Sequence, residues 1–345
     1  MRVGIIGVTG YTGSELLRII HAHDQVKLTY VTSHSFTGKK LSEVHPQYSG
    51  IVEMLCRPFS VEEAIEKTDL VFCALPHGEA MHAVPLLARA GVKVVDLSAD
   101  FRLNDAALYR EWYQKDHIAP DYMGKAVYGL PELYREKIKK STLVANPGCY
   151  PTSVLLALAP LAQKGMIRWE TLVVDAKSGT SGAGRNPSQF LHYPECTENF
   201  RPYRVAAHQH TPEMEQELGR LAGEEITFTF VPHLVPMIRG ILSTVYLKSV
   251  VPMEEAELCS IYEKFYRNDP FVRILTPPLM VETKYVYGSN YCALSLKKDS
   301  RTGRFIILSA IDNLVKGAAG QAVQNMNLML GFEEKSGLEM LPLRP

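Results

Sequence analysis

The chain has 345 residues, with 37 Lys and Arg against 37 Asp and Glu. That length exceeds one ordinary core and predicts two domains or one large α/β unit with an insertion, while the balanced charge excludes a field that would gather nucleic acid or an anionic membrane, leaving a small molecule as the expected ligand. No apolar run reaches bilayer length, no signal-peptide layout precedes the first strand, and the six cysteines form no C-x-x-C pair, so a cytoplasmic protein with reduced thiols, no disulfide framework and no metal is expected.

In chain order, an apolar strand is predicted over 2–6, followed by Gly7-Val8-Thr9-Gly10-Tyr11-Thr12-Gly13 and a helix over 14–23 carrying Leu16, Leu17, Ile19 and Ile20. Glycines at a strand-to-helix turn let the backbone approach a pyrophosphate held at the helix N-terminus. The spacing here is G-x-x-G-x-x-G, whereas the best-known dinucleotide fingerprint is G-x-G-x-x-G. A second strand over 26–32 ends without the acidic residue that binds ribose hydroxyls in NAD enzymes. It runs instead into Ser33-His34-Ser35-Phe36-Thr37-Gly38-Lys39-Lys40, whose hydroxyls and lysines suit a 2′-phosphate, so NADP is the expected cofactor.

Helices over 61–67 and 79–90 alternate with strands over 70–75 and 92–97. This β-α-β-α order predicts a parallel, doubly wound sheet with right-handed crossovers. Asp100-Phe101-Arg102 follows at the carboxyl edge, where such sheets bind ligands, and makes Arg102 a candidate anion clamp or else one half of a surface ion pair.

In Asn146-Pro147-Gly148-Cys149-Tyr150-Pro151-Thr152 an apolar strand stops and a helix begins. A thiol there meets the positive end of the helix dipole and unpaired amides, which favour the thiolate nucleophile; a buried structural cysteine is the alternative. Beyond Thr152 come a helix over 154–163, strands over 172–176, 226–231, 241–249, 291–297 and 305–311, and a helix over 254–266. Few helices separate these strands, which predicts a second, α+β domain with a mostly antiparallel sheet.

The segment Lys177-Ser178-Gly179-Thr180-Ser181-Gly182-Ala183-Gly184-Arg185 reads as a loop able to surround an anion between Lys177 and Arg185. His208-Gln209-His210-Thr211-Pro212-Glu213 offers two histidines at i, i+2, on one face if extended. No zinc-type spacing accompanies them, so acid-base work beside a thiolate or a structural role remains. A helix over 314–330 closes the chain, with small residues that permit close backbone approach.

Taken together, these segments resemble the N-acetyl-gamma-glutamyl-phosphate reductase family. The similarity runs from Met1 to about Asn327 and includes 96–102, 128–132, 146–152, 178–185, 208–213, 232–240 and 312–322. The resemblance implies a Rossmann domain over 1–148 completed by a C-terminal helix over 313–345, and a catalytic, substrate-binding and subunit-contact domain over 149–312. It implies NADPH as reductant, N-acetylglutamyl phosphate as substrate, and a homodimer or homotetramer. Cys149 would attack the acyl phosphate, the thioester would be reduced to a thiohemiacetal and then the semialdehyde, and His210 would manage the protons.

By the same resemblance Arg102, Asn146, His208, Arg185 and Arg239 would hold substrate. Gly7, Thr9, Gly10, Tyr11, Thr12, Gly13, Ser33, Lys39, Ser178, Gly179, Gly182, Asn313, Lys316 and Gly317 would hold cofactor. His34 departs from the family pattern, standing where relatives often carry a stronger cation. Aspartate-semialdehyde dehydrogenase is the nearest rival, against which the Gly148-Cys149-Tyr150-Pro151-Thr152 and His-x-His-x-Pro-Glu segments stand. A phosphorylating glyceraldehyde-phosphate dehydrogenase is further away. A catalytically silent NADP-binding sensor is the alternative of another class.

Overall fold

The computed structural model describes residues 1–344. Its first part alternates strands and helices: β1 (Arg2–Ile6), α1 (Tyr11–His21), β2 (Lys27–Thr32), α2 (Leu41–Val44), α3 (Val61–Lys67), β3 (Leu70–Cys73), α4 (Ala80–Arg89), β4 (Lys93–Asp96), α5 (Ala106–Tyr113), β5 (Val127–Tyr128), α6 (Pro131–Lys139) and β6 (Leu143–Ala145). All six strands are parallel, in the order β2-β1-β3-β4-β6-β5. The chain leaves β1 for one side and then crosses to β3 on the other, so the order reverses at β1. Val3, Ile5, Val71, Phe72, Val94 and Val95 are fully buried, as expected for parallel strands covered on both faces. Helix α1 turns Leu16, Leu17, Ile19 and Ile20 inward and leaves Arg18 and His21 exposed.

The second part begins with α7 (Cys149–Ala162) and continues through β7 (Val173–Ser178), α8 (Tyr193–Cys196), β8 (Arg201–Pro202), α9 (Thr211–Ala222), β9 (Thr229–Leu234), β10 (Ile241–Leu247), α10 (Glu255–Phe265), β11 (Val272–Leu275), β12 (Cys292–Asp299) and β13 (Arg304–Ile311). The sheet order is β11-β12-β13-β10-β7-β9-β8. Its pairs are antiparallel except β11 with β12 and β7 with β9.

Every residue of α7 after Cys149 is buried, which is the meaning of a helix apolar all round. Its Ser153 hydroxyl donates to Ser243 on β10 and Ser309 on β13, marking the sheet face it covers. Pro160 has no N–H for the carbonyl of Leu156 four residues back, and the Tyr266 hydroxyl, just beyond α10, donates to that carbonyl at 2.6 Å instead.

Two compact units result. One comprises Met1–Pro147 and Ala318–Glu339, the other Gly148–Gly317 with the tail from Met340 onward. A π turn at Val315–Ala319 leads into the last helix, α11 (Gly320–Leu330). Within the first unit the Asn325 side-chain amide on α11 donates to the carbonyl of Gly129 and to the Asn146 side-chain oxygen, and Arg135 pairs with Glu334. Asp312 and Asn313 stay with the second unit because their side chains bind its backbone. Asp312 accepts from the amides of Gly288, Leu314 and Val315, and Asn313 accepts from the amide of Gly240. Among the described residues no helix is long and apolar enough to cross a membrane.

Candidate active site

In the second unit Cys149 is the first residue of α7, half-buried, with Gly148 as the flanking cap. No side chain caps this end, and Cys149 stands in the first turn, at the positive end of the helix dipole. Burial pushes the thiols of Cys73, Cys56 and Cys259 upward, which leaves them poor nucleophiles at neutral pH. Gly148 also makes room for His210: a Cβ on this glycine would lie 2.6 Å from the imidazole Nε2. The Gly148 amide donates to Glu213 at 2.8 Å, a carboxylate only 1% exposed. Nucleophile, imidazole and carboxylate therefore meet around one backbone position.

The two histidines do not share the face of an extended strand. The chain turns there, with His210 in helical angles as the cap of α9, and the His210 amide donates to Nδ1 of His208 at 3.0 Å. Burial, with a contribution from Arg204, pushes the His208 imidazole down to about 3, so the ring is neutral at physiological pH. Since its Nδ1 accepts, its proton resides on Nε2, which faces the Tyr203 hydroxyl at 3.3 Å. Tyr203 in turn donates to Tyr150 at 3.2 Å, and Tyr150 donates to the carbonyl of His233 at 3.3 Å. Burial holds both phenols well above their usual range and keeps them protonated. The result is a one-way relay of neutral hydrogen bonds that fixes the tautomer of His208 and, through it, the first turn of α9. Glu213 could have been singled out from its place in the histidine segment, whereas nothing in the sequence marks Tyr203.

The 178–184 loop packs on the 235–240 segment. Amides of Gly179, Thr180 and Ser181 donate to the carbonyls of Gly240, Met237 and Ile238, and Asn313 donates to Ser181. Ser178 is buried and Gly182 exposed. Arg239 lies 3.6 Å from Asp312, while Arg185 is exposed. Lys316 is fully buried, with its ammonium 5.6 Å from the centre of the Phe271 ring. A Cβ on Gly317 would lie 2.8 Å from the Cβ of Cys149, so this turn abuts the nucleophile.

In the first unit Gly7 adopts φ +87°, and a Cβ there would collide with the carbonyl of Ala74 beyond β3. The N-terminus of α1 at Gly10 has no side-chain cap and no acidic residue in its first turn. This bare, positively polarised end, with Gly10, Tyr11 and Thr12 at its surface, fits a pyrophosphate. Thr9 and Ser33 are bonded to each other at 2.8 Å and largely buried, while His34 and Lys39 are exposed beyond β2. Arg102 is 6% exposed and donates to the carbonyls of Asn146 and Leu97. Asn146 uses its own side chain within the unit, donating to the carbonyl of Ala318 and accepting from Asn325. Among the described residues no group of three or more His, Cys, Asp or Glu is placed to hold a metal.

Comparison with known proteins agrees with this division. Residues 2–141 match the family described as semialdehyde dehydrogenase, NAD binding domain, and residues 149–313 match semialdehyde dehydrogenase, dimerisation domain. The N-acetyl-gamma-glutamyl-phosphate reductase of Pelotomaculum thermopropionicum is 52% identical over 98% of this chain and 97% of its own length. That of Desulfotalea psychrophila is 51% identical over the full length of both. Among solved structures, aspartate semialdehyde dehydrogenase II of Vibrio cholerae superposes with TM-score 0.73 at 18% identity, covering 96% of this chain and 98% of that one. The aspartate semialdehyde dehydrogenase of Candida albicans with NADP gives 0.70 at 16% identity, covering 97% and 98%. At these identities the structures share the fold alone. Full-length identity of about one residue in two, with both family models matched in order, places the chain in the N-acetyl-gamma-glutamyl-phosphate reductase family of semialdehyde dehydrogenases.

Proposed function

We propose that the protein reduces N-acetyl-L-glutamyl 5-phosphate to N-acetyl-L-glutamate 5-semialdehyde and phosphate, reversibly, with NADPH. The observation that carries this reading is the His210 imidazole seated against Gly148, next to a cysteine that opens a buried helix. The Cys149 thiolate attacks the acyl carbon, the C–O bond to phosphate breaks, and inorganic phosphate leaves a thioester on sulfur. NADPH, when bound, supplies the hydride. His210 gives a proton to the oxygen of the resulting thiohemiacetal. It takes that proton back as the C–S bond breaks, and the aldehyde departs from a regenerated thiolate.

Glu213 and the relay from His208 to Tyr150 support the imidazole and the turn that carries it. We place His208 there rather than on the substrate phosphate, because a neutral ring with both nitrogens engaged adds no positive charge. Arg102, Arg185 and Arg239 are the proposed grip on carboxylate and phosphate, and Asn146 acts by holding the segment that follows Gly317. The turn Gly7–Gly13 with Ser33 and Lys39 is the proposed NADP site of the first unit, and Ser178, Gly179, Gly182, Asn313, Lys316 and Gly317 are the cofactor residues proposed for the second.

The test is phosphate-dependent reduction of NADP with two aldehydes. N-acetylglutamate semialdehyde is expected to turn over efficiently and aspartate semialdehyde poorly, because its free ammonium would enter a site shaped for an amide. Cys149→Ser should lower turnover by several orders of magnitude with NADPH binding intact, since a serine hydroxyl is barely ionised at neutral pH. Equal efficiency with both aldehydes would transfer the chain to the aspartate-semialdehyde reading. Near-native turnover in the serine variant would remove the thioester route altogether.

We also infer that a second copy of the chain covers the sheet face opposite α7. Tyr246, Ile306, Val173 and Val231 lie on that face by the strand register and remain half-buried, while Leu242 and Leu308 on the same face pack on a cluster that includes Val281 and Val286 of the chain itself. The family model matched to this unit is described as a dimerisation domain, which supports a homo-oligomer over another partner. A cytoplasmic setting, where thiols stay reduced, suits Cys149 as a free nucleophile.

A further inference from the structure

The first unit contains a buried carboxylate that the chemistry above does not use. Asp100 is fully buried and accepts three hydrogen bonds: from the amide of Gly78 at 2.8 Å, the amide of Met81 at 3.2 Å and the Tyr109 hydroxyl at 2.7 Å. Gly78 belongs to the turn between β3 and α4, and Met81 to the first turn of α4 that the turn leads into. That turn is held from a second side as well, because the Lys115 ammonium donates to the carbonyl of His77 at 2.9 Å and the Ala99 amide donates to Nδ1 of His77 at 3.0 Å. With Nδ1 accepting, a neutral His77 carries its proton on Nε2, on a side chain that is exposed at the carboxyl edge of the sheet.

Position gives this turn its significance. The order β2-β1-β3 reverses at β1, and in doubly wound sheets a dinucleotide lies across that reversal. A dinucleotide bound there would place its adenosine half toward β2 and its nicotinamide half toward β3. The turns after β1 and β3 stand back to back, since a Cβ on Gly7 would strike the carbonyl of Ala74. The glycine turn after β1 serves the pyrophosphate, and the turn after β3 is the next wall along.

We propose that Asp100 is a positioning residue for the cofactor: through Gly78 and Met81 it sets the turn that receives the nicotinamide half of NADP. This rests on the dinucleotide reading of the Gly7–Gly13 turn. A carboxylate suits the task because it accepts from two converging amides at once, whereas a carboxamide turns an N–H toward one of them. Capping α4 alone would be a structural role with no preference among ligands, so the test compares two ligands that differ in the nicotinamide half.

The full chain carrying Asp100→Asn is titrated with NADPH and with 2′,5′-ADP, which lacks the nicotinamide. NADPH affinity is expected to fall about tenfold, the loss of one charge-assisted contact, while 2′,5′-ADP affinity stays within about twofold. The KM for NADPH should rise more than kcat falls. Gly78→Ala provides a second route that leaves Asp100 in place. The residue has φ +92°, which an alanine adopts only with strain, so the substitution acts on the turn itself while the flexible Lys115 side chain can yield to the added Cβ, and the same selective loss should follow. Unchanged NADPH affinity in both variants, or equal losses for the two ligands, would overturn the assignment. Failure of the unmodified protein to bind either ligand would instead overturn the dinucleotide reading.

Discussion

Gly148 has angles any residue accepts (φ −65°, ψ 156°), and the case for glycine there is His210, whose Nε2 would sit 2.6 Å from an added methyl group. Gly148→Ala must therefore push the imidazole away from the nucleophile while leaving the backbone unstrained. We expect turnover to fall by about 10²-fold or more, the scale of general acid-base catalysis, with thermal stability little changed. Steady-state kinetics beside a melting curve would check this. Native turnover would mean that His210 can do its work from elsewhere. A substitution at Tyr203 would act at greater remove, because that residue reaches His210 through His208 and Tyr150.

Strand β4 ends in Asp96, fully buried, which accepts from the Ser98 amide and hydroxyl. Burial first, and the charge of Asp100 second, push its carboxyl up to about 7. An unfolded aspartate titrates near ~3.9. The folded chain thus holds a proton that the unfolded chain has released, and this contribution to stability is full below about pH 4 and lost as pH rises toward 7. Asp96→Asn, which keeps no charge to bury, should gain on the wild type across that window by at least about 1 kcal/mol. Denaturant titrations at pH 4.5 and 7.5 measure the gain, and a pH-independent difference would refute it.

The elements themselves were unequally legible. The β-α-β rhythm and the glycine turn could be read because apolar periodicity and glycine spacing are local, and so could the strand-to-helix junction at Cys149. The helical start at His210 could not. Its turn is imposed by the bond to His208 two residues back and by the Gly148–Glu213 contact across 65 positions; the first depends on a side-chain orientation and the second on a distant partner, and neither leaves a local period. Tyr203 escaped for the same reason, while Ser33 and Asn146 gave no sign that the fold would bury them.

At the scale of the whole molecule, the half-buried part of the sheet face opposite α7 makes a claim about assembly. Tyr246 pairs across the sheet with Ile306 and Val173, so a charge there would lie in the centre of the inferred contact. Tyr246→Glu should weaken self-association by about 10²-fold or more, read by sedimentation equilibrium. A wild-type protein that is monomeric at micromolar concentration would refute the interface.

The interleaving of the two units bears on how the chain is made. The cofactor unit is begun by the first 147 residues and finished only from Ala318 onward. During synthesis at about 5–20 residues per second, the partner helix for α6 therefore emerges roughly ten to forty seconds after α6 itself. Until then the surfaces that α11 covers are open to water and to neighbouring chains. The nascent protein is most exposed to aggregation while its second unit is being translated, and a ribosome that stalls before Gly320 releases a product whose dinucleotide sheet lacks one of its covering helices.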